Sequence, residues 1–204
     1  MRPGFAPDFA EANQDKLMIF GLLRKNNVNA VIVERQYGIL TTAARRPEFY
    51  LEANVPDTVM GRFEMLSAVL ILYFRRTRQS GEAVKTIAQE IVDAFFEDLD
   101  HSMRELGIGD NGVPKRMKKL ASMFYGRVDS YGTALDANDS QALAAALKRN
   151  FHPENSDETL TMERLALYMT EAARALDSVP ESVLERGELE LPPFNGGAAD
   201  AAHV

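Results

Sequence analysis

Apolar residues recur at intervals of three and four along nearly the whole chain, and this periodicity constrains the fold more than any other feature. Between Glu82 and Leu106, Ile91, Phe95 and Leu99 fall on one helix face, with Val92, Phe96 and Met103 widening the stripe. No run of alternating β-branched residues bounded by hairpin turns competes with it. The expected fold is all-α, a single-domain irregular helical bundle of about seven helices.

The boundaries follow from breakers and caps. A first helix is expected over Asp15 to Lys25 and a second from about Asn29 to Arg45, ended by the restriction that Pro47 places on its predecessor. "EFYLEA" forms a short helical turn. "NVPDT" then stops and restarts the chain, with Asp57 or Thr58 as N-cap for a long helix to about Gln79. Further helices are expected over Glu82 to Leu106, Pro114 to Leu135, "DSQALAAALKRNF", and Glu158 to Leu176. Residues 1–14 read as an N-terminal extension, 15–194 as the helical domain, and the Gly- and Ala-rich 195–204 as a disordered tail.

With 204 residues and 46% hydrophobic content, one sizeable core is within reach. The absence of Cys excludes disulfides, thiolate metal sites and cysteine nucleophiles. A net charge of -7 argues against general or specific DNA binding, so any basic function must be local. The first residues carry neither a secretory signal nor an Arg-rich transit peptide. The densest apolar run, "LSAVLILYF" from Leu66 to Phe74, is far shorter than the roughly 20 residues a membrane-spanning helix needs and reads as a buried helix core. The expected location is the cytoplasm, where the chain is made.

The stretch "GIGDNGVPKRMKK", Gly107 to Lys119, contains the literal pattern G-x-G-x-x-G. A dinucleotide turn needs a preceding strand, yet "DAFFEDLDHSMREL" is helical, and Asp110 places a negative charge in the would-be phosphate cradle. The glycines read better as a helix break, with Gly107 at a C-cap that wants positive φ and Pro114 in the first turn of the next helix. Lys115, Arg116, Lys118 and Lys119 then crowd the start of a helix, where the macrodipole disfavours cations. They are candidate contacts to an acidic partner or anionic lipid. Tyr125 and Arg127, further along the same helix, join them as candidate partner-binding residues, and Gly126 and Gly132 suggest close helix approach or a groove. "RRTR", with Arg75, Arg76 and Arg78, either extends the basic patch or is a solvated helix C-terminus. Glu90, Asp93, Glu97 and Asp100 read as a solvated acidic face.

His101, His152 and His203 lack zinc-site spacing, and no nucleophile elbow, S-x-x-K or paired Glu-x-x-His pattern is present. No catalytic residue, metal site or cofactor is expected.

Several stretches together resemble the ubiquinol-cytochrome c chaperone family: "ARRPEFYLEANVPDTVMGRFEML" with "LYFRRTR", "FFEDLDHSMRELGIGDNGVPKRMKKLASMFYGR", "ALAAALKRNF" and "LERGELELPPF". The resemblance runs from about Gln36 to Phe194. It implies an all-α bundle acting in biogenesis of respiratory complex III, with newly made cytochrome b as client and a site of action near the ribosomal exit in mitochondrial relatives. The lack of Trp sets the chain apart from eukaryotic relatives and implies a bacterial-type member, whose relatives favour Gly and Asp where Asn54 and Met60 stand. The leading expectation is a non-enzymatic assembly chaperone for a membrane-protein client. The alternative is a helical binder of a lipid or quinone-like molecule, or a small enzyme, using a cavity lined by Met and Phe.

Overall fold

The computed structural model describes residues 27–195 apart from 156 and 158. Within them lie α1 (Asn27–Ala44), α2 (Pro47–Glu52), α3 (Val59–Thr77), α4 (Glu82–Glu105), α5 (Val113–Asp136), α6 (Ser140–Phe151), α7 (Glu163–Asp177) and α8 (Glu181–Glu185), with no strand among the described residues. The all-α expectation holds, and most boundaries fall within two residues of those read from the sequence. The helix expected over Asp15 to Lys25, the 1–14 extension and most of the 195–204 tail lie outside the described residues.

α3 is the axis of the bundle, packed against α1, α4, α5, α6 and α7. Its sequence explains that position. From Met65 to Tyr73 every residue but Leu66 is buried, and a helix that is apolar on all sides is stable only when neighbours surround it. Ser67 is buried within the same stretch, its hydroxyl without a hydrogen-bond partner among the described residues. Among the described residues no helix is long and apolar enough to cross a membrane.

The start of α3 is fixed by "PDTVMG". Thr58, rather than Asp57, is the N-cap, its Oγ1 accepting the Gly61 amide at 3.0 Å, while Asp57 pairs with Arg62 at 2.8 Å. Pro56 folds back so closely that a Cβ on Gly61 would stand 1.9 Å from the Pro56 carbonyl oxygen, which leaves glycine as the residue that fits. Just upstream, Asn54 adopts φ 56°, a left-handed conformation that glycine takes readily and asparagine tolerates. Its Nδ2 donates to the Thr161 carbonyl at 3.0 Å, and its own carbonyl lies 2.7 Å from His152 Nε2, so the turn is tied to the segment leading into α7.

α7 starts at Glu163, not near Glu158 as the apolar spacing suggests. The Asp157 carboxylate accepts both the amide and the hydroxyl of Thr159, and Asn155 Oδ1 accepts the Asp157 amide. These local side-chain turns compete with the helical ladder and delay it.

After α8 the chain runs extended and straps the bundle. Leu189 and Leu191 are buried, and Arg46 donates to the carbonyls of Leu191, at 3.0 Å, and Pro192. Phe194 meets Phe49 and Tyr168, with ring centroids 5.3 and 5.8 Å away. Inside, Gln36 is fully buried and bridges two elements, donating to the Leu184 carbonyl and accepting from the Tyr73 hydroxyl. A buried amide of this kind is tolerable because both ends are satisfied.

Candidate partner-binding surface

The α4–α5 connection carries the G-x-G-x-x-G pattern and shows what its glycines do. Gly107 has φ 78°, its amide donates to the Arg104 carbonyl at 2.9 Å, and the Ile108 amide donates to the Met103 carbonyl at 3.2 Å. This is a Schellman C-cap, as the sequence suggests. The amides of Gly112 and Val113 are likewise taken up by the Gly109 carbonyl. Asp110 is paired with Arg104, which also holds Asp100. With its donors turned inward and a carboxylate at its mouth, the turn offers a phosphate no cradle.

Behind the turn, Pro114 sits in the first turn of α5, and Lys115, Arg116, Lys118 and Lys119 are all exposed. None of the four forms an ion pair among the described residues. They stand opposite Val113, Met117, Ala121 and Phe124, which face the core. No acidic residue occurs between Asp110 and Asp129, so about four turns of α5 are cationic or neutral on their outer side. Gly126 is exposed, and a Cβ there would meet nothing within 4 Å, so it is a bare spot on that outer side rather than a point of close helix approach; Gly132 is buried.

Arg127 does not share the cationic face, and Tyr125, seven residues on from Lys118, lies at its edge. Tyr125 is half-buried, its ring 5.5 Å from Phe124 and 6.4 Å from Phe96. Arg127 is only 8% exposed. Its Nε and Nη2 donate to the two carboxylate oxygens of Glu64 on α3, and its Nη1 donates to the Met123 carbonyl at 2.7 Å. Arg127 is thus an internal cation, placed by its spacing from Phe124 and Tyr131 on the inward side of α5, apart from the four exposed cations. Burial raises the Glu64 carboxyl above the usual range, and the Arg127 guanidinium opposes that shift without cancelling it.

"RRTR" does not extend the patch either. Arg75 joins Asp136 at 2.9 Å and Asp177 at 2.8 Å, Arg78 joins Asp136 at 2.8 Å, and Arg76 donates to the carbonyls of Leu176 and Val179 and to Ser80. These arginines lock the ends of α5 and α7 to α3. The periodicity showed that α3 ends there but carried no sign of its partners, since Asp136 and Asp177 lie 58 to 102 residues away.

The cleft beside α1, about 420 Å³, is lined by residues including Glu34, Arg35, Thr42, Arg46 and Glu190, and contains no Met or Phe. It is not the Met- and Phe-lined cavity that a lipid or quinone binder would use. Among the described residues no group of three or more His, Asp or Glu is arranged to hold a metal ion. Exposed apolar side chains occur instead at the α2–α3 junction, where Leu51 is 81% and Val59 69% exposed beside Met60, and at the α4 C-cap, where Leu106 is 65% exposed.

The fold and this surface define an all-α bundle built around a buried central helix, with a one-sided cationic helix on its outside. The chain belongs to the Ubiquinol-cytochrome C chaperone family, whose family model it matches over residues 51–191. It is similar to the crystal structure of the Cbp3 homolog from Brucella abortus, with a TM-score of 0.75 and 44% identity, covering 90% of this chain and 96% of that one. It is also similar to ubiquinol-cytochrome-c reductase complex assembly factor 1 of Xenopus laevis, 27% identical over 148 residues, covering 72% of this chain and 74% of that protein. The corresponding human protein is 28% identical over 148 residues, covering 72% of this chain, which spans about half (49%) of the human protein's length.

Proposed function

We propose that this protein is a non-enzymatic assembly chaperone for ubiquinol-cytochrome c reductase, with cytochrome b as its client. The observation that carries this reading is the family match over residues 51–191, which takes in α3 to α8, from the central helix to the C-terminal strap. The names of the similar frog and human proteins as reductase assembly factors support the same assignment. In this reading Leu51, Val59 and Met60 meet apolar client helices, and the cationic face of α5 meets a second, anionic surface. The protein works in the cytoplasm or at the inner face of the membrane, where a newly made membrane protein emerges.

The test is a pulldown of tagged protein after crosslinking during translation, comparing wild type with the double variant Leu51→Asp, Val59→Asp. Enrichment of cytochrome b with the wild type and its loss with the variant are expected. A stably folded bait that enriches no subunit of the reductase would contradict the proposal.

A further inference from the structure

We infer that the outer face of α5, together with Leu106, is a docking surface for an anionic lipid bilayer. Lys115, Arg116, Lys118 and Lys119 cover roughly 160° of the helix circumference at 3.6 residues per turn, centred opposite the buried stripe. They stand at a helix N-terminus, where the dipole disfavours them, and no carboxylate of the described residues compensates them. An external anionic surface supplies what the described residues do not.

The chemistry of the patch favours lipid over nucleic acid. Three of the four cations are lysines, compact charges suited to a diffuse negative surface rather than to bidentate phosphate recognition. Single-stranded RNA binders add aromatic platforms for base stacking, but the rings on this part of α5, Phe124 and Tyr125, pack against Phe96 on α4. What the patch adds is aliphatic: the Schellman turn folds the chain so that Leu106, 65% exposed at the C-cap of α4, lies at the same end of the hairpin as the first turns of α5. An apolar side chain at the same end of a hairpin as a lysine cluster matches the boundary between headgroups and acyl chains. The nearby acids Asp100 and Asp110 are both held by Arg104, which offsets part of their local repulsion.

The charge of the whole chain adds orientation. At a net charge of -7 most of the protein is repelled by an anionic bilayer, so attraction confined to one helix selects one pose. The surface does not involve Leu51 or Val59, so loss of lipid docking and loss of client binding are separable.

The test is co-sedimentation of the full chain with phosphatidylcholine vesicles containing or lacking phosphatidylglycerol, at low and high salt, alongside titration with single-stranded RNA. Binding is expected only to the anionic vesicles and should weaken with salt. Each surface lysine contributes about 1 kcal/mol to such binding, so the Lys115→Ala, Lys118→Ala, Lys119→Ala variant should bind roughly 100-fold more weakly. Leu106→Asp should weaken it further at high salt, where the apolar contact is what remains. The same variants should keep the wild-type circular dichroism and client capture. Equal binding to neutral vesicles, undiminished binding by the triple variant, binding to neither vesicle, or tighter binding to RNA than to anionic vesicles would each overturn the inference.

Discussion

At the scale of single residues, Arg127 is the most informative position. It holds Glu64 in a buried two-pronged contact, and removing one partner of such a pair leaves an uncompensated charge, at a cost of about 3–5 kcal/mol. Arg127→Ala is therefore expected to lose about that much stability in urea unfolding, while Glu64→Leu with Arg127→Met recovers most of it. pH adds a second signature. Burial already raises the Glu64 carboxyl, and without Arg127 nothing opposes the rise. A raised acid pKa contributes stability below the unfolded-state value that is lost as pH climbs through the folded-state value. The deficit of Arg127→Ala should thus shrink as pH falls from neutral toward the ordinary glutamate range, read as the difference from wild type. Gly61 makes a steric counterpart: Gly61→Ala forces Pro56 away from the α3 cap and should cost about 1–3 kcal/mol in the same assay, whereas Gly126→Ala, in open space, should be neutral or slightly stabilising. The roles of Gly107 and Pro114 were legible from the sequence because caps are local. The role of Arg127 was not, because an arginine at an inward helical position looks the same as one at a surface position until Glu64, 63 residues away, is placed opposite it.

Between elements, arginines make several of the polar ties beside the apolar core. Arg75 bridges Asp136 and Asp177, but these carboxylates are half-exposed, and water screens such pairs. Arg75→Ala should therefore cost about 1 kcal/mol, clearly less than Arg127→Ala. Arg46 acts on backbone carbonyls, so its loss should be read locally: Arg46→Ala is expected to release the strap from Leu189 to Phe194 and speed proteolytic cleavage there, with little change in the helical signal. Unchanged cleavage would mean that the rings of Phe49, Tyr168 and Phe194 hold the strap unaided. The helices themselves were readable from apolar spacing and caps, to within a turn. The start of α7 was not, since the side-chain turns at Asn155 and Asp157 override a spacing that would otherwise extend it.

At the scale of the molecule, the bundle presents two different outer chemistries around a closed core. Apolar side chains stand exposed at the α2–α3 junction, and cations that pair with no carboxylate of the described residues stand on α5. The cationic helix could be picked out from the sequence because its charges oppose the helix dipole. The apolar junction could not, since Leu51, Val59 and Met60 continue helical patterns whose other members are buried. A chaperone reading joins the two surfaces, one for the client and one for the site where the client is delivered. The most direct measurement of that reading is the amount of assembled ubiquinol-cytochrome c reductase in membranes of source cells lacking this protein, followed by the reduced-minus-oxidised spectrum of cytochrome b. The account predicts a strong loss of the signal, restored by the wild-type chain and not by Leu51→Asp, Val59→Asp. A normal cytochrome b spectrum in its absence would contradict the account.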